Sequence, residues 1–536
     1  MPPAIVRLCS CFVVWLGVIS ASPAPSPSHE ISIRFDSTEP SLTISGLWRM
    51  PPRAQDSDQW TFYLSPVMTD VTITRLICGS SEIKVKALHS EPEGGDMLWH
   101  LAGMSPCPAA KPLTLWFRYK TARNAPQLQV TPNAAFAGGG GEYWYPQRAY
   151  KDLDTAVIRI DVPATFKTIA TGDLVGSAIK GALREDIYRA RNPSKLAFAI
   201  GRYTDVRLGR PFPIRLLTTS ASVARARGNA RLLSRLLAPL ERAFGPAPQR
   251  SLALVEVRFG GKVAGTSEYG MIFAEPEQFS GPFNPSYWAH EFSHQWWGIS
   301  VRNRAGAPGS IFLTEGMAQY GALLGLENAF GRDAAAAYRA TDVKDSIMAY
   351  RKLVAAGQDR ALVGEPPNGQ EEILRMHRLA TSKGAILISQ LAWLIGRDRF
   401  HRTLRQFLAR NRGQSVAWAD LENAINADTQ QRYRWWFDQW LRAPAAPDFE
   451  VSTNFSGNRV EIAIRQYGPK PYRLMIPVEV CGRWGTQEFK IPSSASRSTT
   501  RVKARGPVTG VRIDPDVLVP NLRATARSAV RCPRKA

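Results

Sequence analysis

The chain has 536 residues, 44% hydrophobic and 10% aromatic, enough to bury substantial cores in roughly two to four domains, which excludes a small disulfide-stapled fold. Its formal net charge of +23 is large, but Lys and Arg are scattered along the chain rather than gathered in a run. No zinc finger, aromatic ribonucleoprotein motif or compact basic helix accompanies that charge, so no nucleic-acid partner is expected, and adhesion to anionic surfaces is the modest inference.

The N-terminus carries Arg7, then an apolar run from Leu8 to Ser20, then the small and proline-rich residues 21–28. That order reads as a signal peptide over residues 1–24. The apolar run is too short to span a bilayer comfortably and no later segment is long enough without charges, so the mature chain is expected to lack a transmembrane segment and to be secreted or periplasmic. Four cysteines then remain. Their positions suggest the local disulfides Cys78–Cys107 and Cys481–Cys532, with the other connectivities left open by the sequence.

Short runs with period-two alternation fill residues 25–217 and predict an antiparallel β domain. The four glycines from Gly138 to Gly141 are not a phosphate loop, because no Gly-Lys-Ser/Thr follows; a loop near the cleft is expected. From Ser222 to Phe244 the leucines 232, 233, 236, 237 and 240 recur at helical spacing and predict a core helix. A strand from Leu252 follows, then Gly265-Thr266-Ser267-Glu268-Tyr269-Gly270.

The next stretch carries chemistry. Asn284 can cap a helix, Pro285 suits its first turn and Gly298 can close it. On that helix His290 and His294 are four residues apart and share a face, so both imidazoles can reach one cation, and Glu291 lies beside them as a base. A catalytic zinc site wants a third protein ligand and an open position. Glu315, opening the next apolar helical run, is the expected third ligand.

The run His290-Glu291-x-x-His294-Gln295-Trp296-Trp297-Gly298, with Leu313-Thr314-Glu315-Gly316-Met317-Ala318-Gln319-Tyr320, resembles the gluzincin aminopeptidases, the family of aminopeptidase N and puromycin-sensitive aminopeptidase. The spacing from His294 to Glu315 is slightly longer than the family's, and the excess fits the Gly/Pro-rich stretch 304–309, where length costs little. The resemblance implies one Zn²⁺ per chain on His290, His294 and Glu315, Glu291 as general base and peptides as substrates. It also implies that Gly265 and Glu268 occupy the family's Gly-x-Met-Glu-Asn edge strand, with Glu268 binding the substrate's α-amino group. Glu142 is a further candidate near that amino end.

Departures also stand out. Thr381 occupies the place of the family tyrosine that hydrogen-bonds the developing oxyanion; His377, one turn earlier, could reach inward in its stead, but a surface or internally satisfied histidine is the expected reading. After Glu315 the chain reads as helical to about Leu441. Ala443-Pro444-Ala445-Ala446-Pro447 reads as a linker, and alternating strands follow. The expected architecture is therefore α+β and multidomain: an N-terminal β domain (25–217), a mostly α, thermolysin-like zincin catalytic domain (218–442) and a C-terminal β-sandwich (443–536), without the helical C-terminal domain of full-size members. The expected function is that of a zinc aminopeptidase. A zinc- and peptide-binding homologue without turnover, and a zinc hydrolase cutting within peptides, stay open. Side-chain preference and oligomeric state are not legible.

Overall fold

Along His29–Asp36 and Leu113–Thr121 every second residue is buried, as alternation in the sequence requires of strands that are covered on one face. The computed structural model that carries these strands describes residues 28–523, apart from 51–54, 94–95, 140–142, 149–154, 209–212, 220, 261–262 and 305. The expected signal peptide, Glu142 and Cys532 lie outside the described residues.

The N-terminal strands form an eight-stranded sheet in which His29–Asp36 lies between Ser41–Met50 and Thr155–Pro163, with smaller sheets of three and four strands beside it. Pairing in the large sheet is antiparallel except between His29–Asp36 and Thr155–Pro163, which run parallel. A parallel neighbour needs a long connection, and here the intervening chain spends it on strands of all three sheets. The Cys78–Cys107 disulfide forms as expected and joins Thr69–Cys78 to Asp96–Cys107. Cys481 is also disulfide-bonded.

The next unit is built on a five-stranded sheet in the order Thr204–Leu208, Ile214–Thr218, Leu252–Glu256, Met271–Ala274, Gly265–Glu268. Its first two strands fall inside the region 25–217 assigned to the N-terminal domain from the sequence. Alternation alone cannot say which sheet a strand joins. Gly265–Glu268 is the edge strand and pairs antiparallel with Met271–Ala274. The helix Val223–Phe244 forms as its leucine spacing predicts and buries Leu233, Leu236, Leu237 and Leu240.

Two helices carry the expected metal ligands, and their approach is set by glycine. A Cβ on Gly321 would lie 2.0 Å from Ser293 Oγ, and one on Gly325 would lie 2.6 Å from the Ala289 Cβ. Only glycine at these positions lets Met317–Phe330 lie against Pro285–Ser293 closely enough to deliver Glu315, two residues ahead of it.

Beyond the helices, two three-stranded sheets form the C-terminal sandwich: Asp448–Ser456, Arg459–Tyr467 and Arg497–Lys503 in one, Gly485–Ser493, Leu474–Gly482 and Gly510–Ile513 in the other. Its core is continuous with that of the helices, from Leu254 and Phe292 through Trp436 and Trp440 to Ile462 and Val478. Buried apolar packing therefore fixes the sandwich to the helical unit.

Candidate metal centre and active site

The helix Pro285–Ser293 begins as the sequence predicts, with Asn284 Oδ1 accepting from the Tyr287 N–H at 3.2 Å and Pro285 in the first turn. Its regular part ends at Ser293. His294 keeps a helical backbone as the cap, and tight turns lead on to Gly298 at φ +103°. Glu315 sits in a π-helical turn, Phe312–Gly316, that opens Met317–Phe330. A second π-helical turn, Ala380–Gly384, packs against it. Such turns cost regular hydrogen bonding and recur at functional sites, where the extra residue re-aims a side chain.

The three expected ligands converge. His290 Nε2 and His294 Nε2 are 3.0 Å apart, and Glu315 Oε2 lies 3.4 Å from the first and 3.7 Å from the second. Ligand atoms held roughly 2.1 Å from a tetrahedral zinc stand about 3.4 Å from one another, so these separations match such an ion. Protonation agrees. His294 Nδ1 lies 3.1 Å from the Trp297 carbonyl oxygen and His290 Nδ1 lies 2.8 Å from Gln319 Oε1. With both Nδ1–H groups donating, two Nε2 lone pairs face each other at 3.0 Å, an arrangement that a cation between them stabilises. The donor set therefore fits zinc.

Without a metal, protons play the cation's part. Burial disfavours the imidazolium at His290, yet the adjacent Glu315 carboxylate holds its pKa up at about 9. Burial dominates at His294 and lowers its pKa. Burial opposes charge on Glu315 as well, but His294, His290 and His377 around it hold the carboxyl well below its usual range. Metal uptake must displace these protons and so strengthens as pH rises.

Gln319 was not foreseen, although it lies four residues after Glu315 on the same helical face. It is buried, accepts from His290 and donates to Tyr338. Gln319→Leu is expected to leave the fold intact and weaken zinc binding about tenfold to a hundredfold, as loss of a residue orienting a ligand does, read by competition with a chromogenic chelator. Unchanged affinity would remove Gln319 from that role.

The ligands open onto a cavity of about 460 Å³ that is also lined by Glu291, Gly265 and Ser267. Ser267 stands where the family's Gly-x-Met-Glu-Asn strand has methionine. Its hydroxyl in fact reaches both the Glu291 carboxylate, at 2.7 Å to Oε2, and the Glu291 carbonyl, at 2.9 Å, and so fixes the rotamer of the expected base. Nothing local in the sequence signals this contact across 24 residues. Gly265 lies where a Cβ would fall 1.9 Å from the Tyr287 hydroxyl, so glycine is what lets the edge strand approach the metal-site helix.

Two expectations change. Glu268 does not face the cavity: it is fully buried, with Lys195 Nζ 3.2 Å from Oε2 and the Gly139 N–H donating to Oε1 at 3.2 Å. Burial raises its pKa and the Lys195 ammonium opposes that shift. Lys195 comes from the N-terminal domain, a partner that sequence spacing cannot reveal. His377, expected at the surface, lines the cavity instead, with Nε2 3.1 Å from Glu315 Oε2. Thr381 is buried in the second π-helical turn, where its hydroxyl reaches the Arg378 carbonyl, and it does not line the cavity.

Residues 285–440 match the profile described as "Peptidase family M1 domain". No curated protein matches the chain. Among solved structures, the chain is similar to aminopeptidase A of Legionella pneumophila, crystallised in complex with aspartic acid, with a TM-score of 0.71 at 14% sequence identity over 93% of this chain and 60% of that one. At that identity the likeness is one of fold, and the chain spans 60% of its neighbour's length. The matched segment covers both metal-site helices and is similar to the catalytic domain of peptidase family M1, the family whose motifs the sequence resembles.

Proposed function

We propose that this protein is a zinc-dependent aminopeptidase that holds one ion on His290, His294 and Glu315 and removes N-terminal residues from peptides. The observation that carries the reading is one cavity combining three converging ligand atoms with a braced glutamate beside an edge strand. Zinc bound there supplies Lewis acidity, which polarises the scissile carbonyl and acidifies water.

The chain's own groups do the rest. An extended peptide can add to the outer edge of Gly265–Glu268 through main-chain hydrogen bonds, which aligns its first carbonyl with the cavity. Glu291, held through Oε2 by Ser267, takes the proton from the attacking water and returns it to the leaving nitrogen. His377 projects into the same cavity and donates an N–H to the carbonyl oxygen as charge develops there, the task for which buried Thr381 is misplaced.

The Cys78–Cys107 disulfide supports export to an oxidising compartment, in line with the signal-like N-terminus. The test is a panel of aminoacyl p-nitroanilides assayed with and without a chelator, then with zinc restored. Release that the chelator abolishes and zinc restores is expected, and N-acetylated counterparts should be poor substrates. Absence of chelator-sensitive release on every substrate favours a binding protein, and equal cleavage of blocked peptides favours an enzyme that cuts within chains.

A further inference from the structure

Two of the chain's seven histidines meet outside the metal centre, in the N-terminal three-stranded sheet Ser57–Leu64, Asp96–Cys107, Val85–Glu93. His89 and His100 are directly opposite each other in the antiparallel pair of the last two strands, a placement that sets their Cβ atoms about 4.5–5.5 Å apart. Their rings stack, with centroids 4.9 Å apart and planes at 8° to one another. Glu91 lies two residues from His89, on the same face, and its Oε1 is 3.0 Å from His100 Nε2.

The face that carries them favours a cation. Alternation puts His89, Glu91, Glu93 and His100 on one side of the sheet, while Trp60, Phe62 and Leu101 are buried on the other. Residues 57–64 and 89–100 contain no Lys or Arg, although the chain as a whole carries a formal net charge of +23. Glu93 is steadied by the Tyr63 hydroxyl, which donates to its Oε2 at 3.1 Å, and adds a second carboxylate to the same face. Two imidazoles thus stand beside carboxylates in a stretch whose own charge is negative.

Zinc, nickel and copper all take imidazole nitrogen together with carboxylate oxygen, and a given set of such donors binds Cu²⁺ more tightly than the other divalent ions of the first row. His100 and Glu91 already bring one donor atom each to the same point. One change completes the set: His89, exposed and with no hydrogen-bond partner among the described residues, turns about its side-chain bonds so that a ring nitrogen rather than a ring face meets the ion. We propose that His89, His100 and Glu91 form a second metal site, which takes a divalent transition-metal ion and Cu²⁺ most tightly. It shares neither residues nor domain with His290, His294 and Glu315, and it stands independently of the peptidase reading.

Titration of Cu²⁺ into the zinc-loaded full chain, followed by electron paramagnetic resonance, tests it. A further ion is expected to bind with nitrogen coupling from two imidazoles while the zinc content, counted by atomic absorption, stays constant. Copper that replaced zinc on His290 and His294 would give a similar spectrum, so variants on the sheet decide the assignment. His89→Ala and His100→Ala should each weaken the site about tenfold or more, at least the loss that follows removal of a residue merely supporting a metal ligand, and Glu91→Gln should weaken it less. Zn²⁺ should compete for the same residues with lower affinity. Should His100→Ala disturb the sheet, His89→Ala, which changes an exposed side chain, decides alone. Copper bound by His89→Ala as tightly as by the wild type, or no copper bound while the zinc stays in place, would overturn the proposal.

Discussion

Replacing Glu291 with glutamine is expected to lower kcat by about 10²- to 10⁴-fold while zinc content and KM stay near the wild-type values. Glutamine keeps the shape of the side chain, and its amide oxygen can still accept from the Ser267 hydroxyl that now lies 2.7 Å from Oε2. What it loses is the capacity to take a proton, and a positioned base contributes on that scale. Because Glu291 is not among the ligand atoms, the metal should remain, and because the base acts on water in the transition state, substrate binding should scarcely change. Steady-state kinetics on the best p-nitroanilide, with zinc counted by atomic absorption on the same sample, decides the matter. A variant with wild-type kcat would show that Glu291 is not the base. Loss of zinc with loss of activity would show instead that the motif glutamate supports the site structurally.

The metal centre was legible because its determinants are local. His290 and His294 need only helical spacing, and Asn284, Pro285 and Gly298 mark where that helix begins and where its following turns end. Glu315 was legible because an apolar helix follows it, although the π-helical turn that aims it leaves no pattern in the residues. The layers were legible from period-two alternation, but the sheet joined by Thr204–Leu208 and Ile214–Thr218 was not, since pairing is decided by the rest of the fold.

Everything that tunes the site escaped the sequence for one reason: the contacts are long-range. Ser267 reaches Glu291 from an edge strand and Lys195 reaches Glu268 from another domain. Family correspondence pointed to Glu268 by its motif position, yet it could not show that an ammonium from this chain already sits beside that carboxylate. His377 was misplaced because amphipathic spacing on Gln370–Leu379 says nothing about which neighbour that helix faces.

Replacing His377 with phenylalanine is expected to lower kcat by about 10²- to 10³-fold with a small change in KM, the cost of removing one donor to a developing oxyanion. The geometry behind this is specific. Nε2 lies 3.1 Å from Glu315 Oε2, so the ring points to the ligand cluster, and half of the side chain stays exposed, which leaves room to turn toward a substrate carbonyl. A purely supporting role predicts something else: if His377 only steadies Glu315, its removal should weaken zinc binding and leave kcat of the zinc-saturated enzyme intact. Affinity for a phosphonic transition-state analogue separates the two. Under the oxyanion role, His377→Phe weakens the analogue by the same factor as kcat while a substrate-like inhibitor binds as before, and His377→Gln, which keeps an N–H donor, recovers part of both losses. Equal weakening of both inhibitors, or normal turnover at saturating zinc, would assign the stabilisation of the oxyanion to another group.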